Sequence, residues 1–363
     1  MNVLVVGGGI IGCATAWELA RAGCAVTLVE RAQPGGEASS AAAGLLAPTG
    51  ESAATAFRAL AVESWRMYPE VVRELRDRTG LDPEHVTRGT LYPLRGPAAE
   101  REAAEWTRMP GPAVEIWDRK EIDAREPALS ARVRHAVFVG GDHWINNQRL
   151  VVAYTRAAAA DGVRLVTGRE VSHLLVEGGR ARGGLCSGER LEADVVVVAA
   201  GAWTRALLAG IGAHVPVEPR RGQMAALAHV PPVLGHCVHG DVYLVPRPSG
   251  ELLVGATVED AGFARVVTAE GIAWLLAAAI DLVPALAGVP LARTWCGFRP
   301  WAPDGLPVLG PWPGIEGLWL ATGHFRNGIL LAPITARLLR EWIVGGRPSL
   351  DLSDFRPDRF AAG

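Results

Sequence analysis

The glycine residues near the start of the chain have the spacing of a phosphate-binding turn. They lie in the run Gly7-Gly8-Gly9-Ile10-Ile11-Gly12, directly after an apolar segment. Gly7 permits a tight turn, Gly9 lets the backbone approach a diphosphate, and Gly12 allows a helix to pack closely on a strand. Farther along, Glu30 is an acid that can accept hydrogen bonds from ribose hydroxyls. These residue types therefore predict a dinucleotide site.

The elements that must position these residues form a predicted strand–helix–strand unit. Residues 3–6 are a continuous apolar run, which is typical of a strand buried on both faces. A helix is predicted over residues 10–22, ending near Gly23, and residues 25–29 predict a second strand. The helix N-terminus would offer N–H groups and a positive dipole end to the phosphates. This unit alone leaves FAD and NAD open as the ligand.

Composition limits the kinds of partner that the chain can have. The 363 residues include 36 basic and 38 acidic side chains, and this balance argues against a nucleic-acid partner. The length favours two domains rather than one core. The five cysteines form no C-x-x-C pair, and their odd number favours a reducing, cytoplasmic location. We expect no metal site, because no histidine, cysteine or acid has ligand spacing, and no membrane span.

Three distant segments add features that favour a flavin. Residues 35–46 carry Ser39 and Ser40 among glycines and alanines, so backbone and hydroxyl groups can reach a diphosphate or ribityl chain. Residues 193–204 are an apolar run ending in a turn of small residues, and we expect this strand beside the first one. Residues 318–329 predict a strand, a turn and the start of a helix. The N-terminus of that helix would stabilise the negative charge of a reduced flavin.

The order of these segments resembles the D-amino-acid oxidase superfamily and, within it, the glycine oxidases of thiamine biosynthesis. The segments that carry the resemblance are GGGIIG, ASSAAAGLL, VVVAAGAW, YLVPRPSGELLVGAT, GFRPWAPDGLPVLG and ATGHFRNGILLAP. They span nearly the whole chain. The resemblance implies an α/β fold, α+β overall, in which a Rossmann-like FAD-binding domain is interleaved with an antiparallel-sheet substrate domain.

The expected domains are discontinuous. The FAD-binding domain is assigned to residues 1–85, 145–216 and 298–363, and the substrate domain to residues 86–144 and 217–297. Within the substrate domain, residues 235–257 predict a hairpin that turns at residues 248–250. Residues 91–94, 114–117 and 136–139 predict short strands, and residues 270–283 predict a helix.

The resemblance implies FAD as a non-covalent cofactor. In relatives of the sarcosine-oxidase type a cysteine near Cys296 holds the flavin covalently, but the alignment there is out of register. The residues expected to contact FAD are Gly7, Gly9, Ile10, Ile11, Gly12, Glu30, Arg31, Ser39, Ser40, Ala43, Gly44, Leu45, Val171, Ala200, Gly201, Trp203, Gly323, His324, Arg326, Asn327, Gly328 and Ile329.

Four residues are candidates for binding or converting a substrate. The planar guanidinium of Arg299 fits a carboxylate; composition leaves an ion pair with Asp304 equally open, and the resemblance favours the carboxylate. The resemblance also places Tyr243 beside that carboxylate and Arg326 near the substrate or the flavin carbonyl. Taken alone, Tyr243 is equally typical of a half-buried strand tyrosine, and Arg326 of a capping or surface arginine. Asp241 stands where some glycine oxidases carry histidine, and it is interpreted either as a ligand for the substrate amine or as a solvated turn residue.

The implied activity is oxidative deamination of glycine or a related small amino acid, such as sarcosine or a small D-amino acid. Hydride transfer to flavin N5 would give an imine or 2-oxo acid, oxygen would be reduced to hydrogen peroxide, and the imine would serve thiamine thiazole synthesis. The resemblance also implies a homotetramer. Alternatives are a D-amino-acid or proline dehydrogenase with another electron acceptor, an NAD(P)-dependent dehydrogenase, and a non-catalytic flavoprotein.

Overall fold

The computed structural model describes residues 1–48, 55–94, 106, 113–228 and 233–360, and it contains two large sheets. The first has six strands in the order β18-β19-β12-β1-β2-β8, of which only the β18–β19 pair is antiparallel. In chain order its strands are β1 (Asn2–Val6), β2 (Ala25–Glu30), β8 (Arg164–Thr167), β12 (Val195–Val198), β18 (Val308–Pro311) and β19 (Leu318–Thr322). The expected neighbour of the first strand, β12, does pair with it.

Both faces of the first sheet are covered, which explains its apolar strands. Val3 and Val5 of β1 pack in a core with helices, whereas Leu4 and Val6 pack in a core with a small meander on the other face. The helices are α1 (Ile10–Arg21), α3 (Thr55–Thr79), α5 (Asn147–Ala160) and α8 (Gly328–Gly345). The meander consists of β9 (Val171–Glu177), β10 (Arg180–Cys186) and β11 (Glu189–Glu192).

The second large sheet draws its strands from two separate stretches of chain. It has eight strands in the order β17-β13-β16-β15-β14-β4-β6-β5, antiparallel except for the β14–β4 pair. They are β4 (Thr90–Leu94), β5 (Val114–Trp117), β6 (His135–Val139), β13 (Glu218–Leu227), β14 (Cys237–His239), β15 (Tyr243–Pro246), β16 (Leu252–Gly255) and β17 (Leu291–Trp301). One face is covered by α7 (Ala269–Leu282).

The remaining elements are short. They are α2 (Ala38–Ala41), α4 (Arg119–Arg125), α6 (Thr204–Ala209) and a two-stranded sheet of β3 (Leu45–Leu46) with β7 (His143–Trp144). Four 3₁₀ helices cover Gly201–Trp203, Pro284–Gly288, Ser353–Phe355 and Pro357–Phe360. No helix within the described ranges is long and apolar enough to cross a bilayer.

The expected fold class is confirmed, with one parallel-type sheet and one largely antiparallel sheet. The hairpin expected over residues 235–257 forms β14, β15 and β16, and Arg247 N donates to Glu251 O at its turn. The domain boundaries themselves stay a prediction. The strand β17 runs without a break across the boundary expected between residues 297 and 298.

The start of α1 lies unusually close to the end of β1. A β-carbon at Gly12 would overlap the carbonyl oxygen of Gly7, so the helix can only approach this closely with glycine at position 12. Gly7 itself has φ 108, and a β-carbon there would lie 2.5 Å from Ala199 O on the neighbouring strand. The turn expected from the sequence is therefore built against two strand ends.

Replacing Gly12 by alanine should destabilise the protein, whereas the same change at Gly9 should not. A methyl group at Gly12 would force α1 away from β1, and overpacking of this kind costs about 1–3 kcal/mol. A β-carbon at Gly9 would only reach Ser39 Oγ at 3.4 Å, an ordinary contact. Thermal unfolding of both variants tests this difference. Equal melting temperatures for Gly12→Ala and Gly9→Ala would contradict it.

Candidate active site

A cavity of about 440 Å³ lies between the two large sheets. From the first sheet it is lined by the turn at Gly7 and Gly9 and by the start of α8 at Gly328. From the second sheet it is lined by Tyr243 and Arg299. A ligand in this cavity would therefore contact the dinucleotide turn at one end and polar side chains of the second sheet at the other.

Most of the residues expected to contact a cofactor do line this cavity. They are Gly7, Gly9, Ile10, Ile11, Glu30, Arg31, Ser39, Ala43, Gly44, Leu45, Val171, Ala200, Gly201, Trp203, His324, Arg326, Asn327, Gly328 and Ile329. Of the substrate candidates, Arg299, Tyr243 and Arg326 line it as well.

Three expected contact residues lie outside the cavity lining, each for a physical reason. Gly12 is turned toward Gly7, where it serves the packing of α1. The carbonyl oxygen of Ser40 accepts hydrogen bonds from the side chains of Asn147 and Gln148, which hold α2 against α5. Gly323 has φ 73 and forms the turn after β19, so it shapes the segment without facing the cavity.

The dinucleotide end is organised by hydrogen bonds to the turn. Ile10 N, in the first turn of α1, donates to Ser39 Oγ at 2.9 Å. The Glu30 carboxylate accepts from Gly8 N at 2.8 Å and from Ala32 N at 2.9 Å, so this acid supports the turn while it lines the cavity. Gly9, the N-cap residue, carries no side chain to cover the helix end. A glycine-capped helix N-terminus in a cavity fits a diphosphate.

A further part of the cavity wall is the turn that precedes α8. Phe325 has φ 48, which is rare for a non-glycine residue, and its N–H donates to Pro300 O at 2.8 Å. This bond ties the turn to β17 and leaves Arg326 exposed at the cavity. Burial lowers the pKa of His324 to about 3, and its Nε2 contacts Thr335 Oγ1 at 3.1 Å. His324 is therefore a neutral, structural part of this wall.

The guanidinium of Arg299 has a defined position against the second sheet. It lies over the α-carbon of Gly222, where a β-carbon would overlap it, and its Nη1 donates to Thr257 O at 2.9 Å. Asp304, the alternative ionic partner considered for Arg299, pairs with Arg359 at 2.7 Å. This placement agrees with Arg299 as a positive charge that can bind an anionic group in the cavity.

Tyr243 and Asp241 lie close in sequence but in different surroundings. The Tyr243 hydroxyl donates to Met224 Sδ at 3.1 Å, and both side chains line the cavity. Asp241 is exposed in the turn between β14 and β15 and lies outside the cavity lining. The structure thus agrees with the solvated-turn interpretation of Asp241 rather than with a contact to a substrate amine.

His239 lines the cavity and was missed as a site residue. It pairs in register with Tyr243 across the β14–β15 hairpin, so the two side chains share a face, with ring centroids 5.9 Å apart. The pairing of His239 with Tyr243 across the predicted hairpin was the signal that could have identified His239 as a site residue. Burial and the positive charge of Arg326 lower the pKa of His239 to about 4, so its ring is neutral at physiological pH.

Glu37, Phe263 and Arg265 were also missed, and they form a group with Arg31 and Trp203, which the sequence had already indicated as cofactor contacts. The Arg31 guanidinium lies 3.9 Å from the ring centroid of Trp203, and Phe263 stacks on Trp203 at 4.9 Å. Glu37 pairs with Arg31 at 2.7 Å and also with Arg265. Phe263 and Arg265 come from the segment between β16 and α7, and nothing local in the sequence connects that segment to Trp203.

Cys296 does not line the cavity, although Gly297 and Arg299 on the same strand do. The cysteine side chains are free thiols. Among the described residues, no group of three or more histidine, cysteine or acidic side chains is placed to hold a metal ion.

Comparison with known proteins agrees with this geometry. The family described as DAO, FAD dependent oxidoreductase, matches residues 2–342. The glycine oxidase of Pseudomonas aeruginosa is 39% identical over 360 residues, which cover 98% of each chain. The bifunctional protein ThiO/ThiG of Trichormus variabilis is 37% identical over 366 residues, which cover 99% of this chain and 55% of that protein.

A solved structure gives the same result. The crystal structure of glycine oxidase from Geobacillus kaustophilus matches with a TM-score of 0.94 at 33% identity, covering 98% of both chains. The resemblance inferred from the sequence is confirmed, and FAD is the cofactor, which settles the choice between FAD and NAD that the opening turn left open. The chain belongs to the DAO family of FAD-dependent oxidoreductases.

Proposed function

We propose that this enzyme oxidises glycine, or a related small amino acid such as sarcosine or a small D-amino acid, to an imine or 2-oxo acid. The observation that carries the proposal is the position of Arg299 in the cavity that also contains the N-terminus of α8. The relatives named glycine oxidase support glycine as the substrate. We further propose that oxygen accepts the electrons and is reduced to hydrogen peroxide, and that the imine serves thiamine thiazole synthesis.

The roles of the polar side chains follow from where they lie. Arg299 would bind the substrate carboxylate, with the Tyr243 hydroxyl as a second donor at the same end of the cavity. Arg326, in the turn before α8, would add a positive charge near the substrate or the flavin carbonyl. FAD, when bound, supplies the acceptor for the hydride of the substrate α-carbon.

The surroundings of these groups exclude water and fix charge. Met224, Phe298 and Leu45 line the cavity with apolar surface, which strengthens the attraction between Arg299 and a carboxylate. The positive end of the α8 dipole faces the cavity and would stabilise negative charge on the ring end of the cofactor. Placement and electrostatics can thus support the reaction without a strong base.

Replacing Arg299 by lysine should raise KM for glycine by about 100-fold, because loss of a bidentate charge-assisted pair costs roughly 3 kcal/mol. FAD binding should not change. Arg293→Lys is the matched control, since Arg293 lies on the same strand but pairs with Glu251 at the exposed surface. The measurement is oxygen consumption and peroxide release over glycine, sarcosine and D-alanine.

The substrate panel also decides between the proposed activity and its alternatives. Turnover that requires an artificial acceptor in place of oxygen would favour the dehydrogenase. Silence of the FAD-loaded protein on every amine, with oxygen and with the artificial acceptor, would leave the non-catalytic flavoprotein. An Arg299→Lys variant with unchanged KM would remove this arginine from the substrate site.

We propose that FAD is held without a covalent bond, because Cys296, the cysteine considered for such a bond, lies outside the cavity lining. Acid precipitation should therefore leave a yellow supernatant and a colourless pellet. Cys296→Ser should bind the same amount of FAD as the unaltered protein. A yellow pellet that turns colourless in Cys296→Ser would reveal a thioether.

We propose a cytoplasmic homotetramer. Support comes from apolar side chains exposed on α7 and its surroundings, where Trp274 is 45% and Val266 52% exposed. The helix carries only Glu270 and Asp281 as charged residues. Sedimentation equilibrium should give four times the 38.4 kDa of one chain, and Trp274→Glu should lower that mass without altering the flavin spectrum. A mass of one chain for the unaltered protein would contradict the proposal.

A further inference from the structure

The position of the Arg299 guanidinium depends on the backbone carbonyl of Thr257, a residue that further hydrogen bonds hold in place outside the cavity. Arg299 Nη1 donates to Thr257 O, and the guanidinium rests on the α-carbon of Gly222. Gly222 belongs to β13, whereas Thr257 follows β16 in a segment outside the regular strands. Any movement of the Thr257 carbonyl would therefore move the guanidinium across the surface of β13.

Thr257 is fixed by its own side chain and backbone. Its Oγ1 accepts from Gln223 N at 2.8 Å and donates to Glu259 Oε1. Its N–H donates to Gln223 O at 3.3 Å. Both hydrogen-bonding capacities of the hydroxyl, as donor and as acceptor, are used inside the protein, so its position is defined by two partners on different segments.

The partners of Thr257 are bonded in turn; Gln223 is buried, and Glu259 is partly exposed. Gln223 is 1% exposed, and its side chain donates to Glu259 Oε1 at 2.8 Å and to Thr268 Oγ1 at 3.0 Å, while accepting from Thr268 N at 2.8 Å. Glu259 also pairs with Arg221, which lies next to Gly222 on β13. Although burial raises the pKa of Glu259, hydrogen bonds from Thr257, Arg221 and Gln223 hold it below its usual value, so the carboxylate is ionised at neutral pH.

This network lies behind the substrate end of the cavity rather than in it. Gln223 alternates with Gly222 and Met224, which line the cavity, and it therefore faces α7 on the other side of β13. Thr257 and Glu259 are likewise outside the lining. A network whose members are all bonded, and of which Thr257 and Gln223 are buried, holds one arrangement of its groups. It can set the geometry of Arg299 without touching the substrate.

We propose that Thr257, Gln223 and Glu259 are positioning residues that hold the Arg299 guanidinium in the orientation that binds the substrate carboxylate. The proposal rests on the proposed function, in which Arg299 is the carboxylate ligand. Thr257 and Glu259, in the segment after β16, would therefore influence substrate affinity although neither lines the cavity.

The test compares Thr257→Val with Thr257→Ser. Valine keeps the branched shape but loses the hydroxyl, so Gln223 N and Glu259 Oε1 each lose a partner; serine keeps the hydroxyl. Thr257→Val should raise KM for glycine by about fivefold to tenfold, since one net hydrogen bond corresponds to a factor of this size. Thr257→Ser should stay within about twofold of the unaltered enzyme by the same reasoning.

A binding measurement separates positioning from a general loss of structure. Glycolate keeps the carboxylate of glycine and replaces its amine by a hydroxyl, and its dissociation constant can be read from the absorbance of bound FAD. In Thr257→Val this constant should rise in parallel with KM, while kcat and the dissociation constant of FAD stay unchanged. An unchanged glycolate constant, or a proportional loss of FAD affinity and melting temperature, would overturn the proposal.

Two further variants keep the outcome decisive. If Thr257→Val does not fold, Glu259→Gln retains the size and an acceptor oxygen but weakens the pair with Arg221, and it should shift the glycolate constant in the same direction. Arg299→Lys reports on the proposed function itself. A weaker glycolate complex in Arg299→Lys without any change in Thr257→Val or Glu259→Gln would overturn the positioning role alone, whereas no change in Arg299→Lys would remove the carboxylate site.

Discussion

The close approach of α1 to β1 is the constraint on which the rest of the site depends. Because Gly12 has no side chain, the helix begins directly against the carbonyl of Gly7, and the helix N-terminus opens at the ends of β1 and β12. Glu30, at the end of β2, is then near enough to accept from Gly8 N. A longer separation would move the helix N-terminus away from the ends of β1 and β12, and the dinucleotide end of the cavity would change shape.

The two ends of the cavity are held together by β17 and the turn before α8. β17 belongs to the second sheet through its long ladder with β13, yet Pro300 O accepts from Phe325 N in the turn that leads into α8. Trp301 and His324 form a further bridge between the same segments. Backbone hydrogen bonds thus hold the strand that carries Arg299 against the turn that carries Arg326.

How much of this was predictable depends on the sequence separation of the partners. The opening turn was predictable because strand, glycines, helix and acid are neighbours in the chain, and each has its own local signal. The resemblance supplied Arg299 and Arg326, which no local pattern distinguishes from surface arginines. The position of Arg299 against Gly222 and Thr257 was not predictable. It depends on contacts among β13, β17 and the segment after β16, and these contacts follow from register across a sheet. The long helix α3, by contrast, was not predicted, although its buried residues, among them Phe57, Leu60 and Tyr68, recur at helical spacing in the sequence.

Burial then decides which side chains carry charge in the cavity. The pKa of His239 falls to about 4 and that of His324 to about 3, so both rings are neutral near neutral pH, where a substrate carboxylate is ionised. The positive charges come instead from Arg299 and Arg326, whose guanidinium groups do not lose their protons in proteins. Affinity for a carboxylate therefore does not depend on the ionisation of a histidine. Since the reacting amine must be neutral to release a hydride, we expect the ionisation of the substrate amine, rather than that of these two rings, to contribute to the pH dependence of turnover near neutral pH.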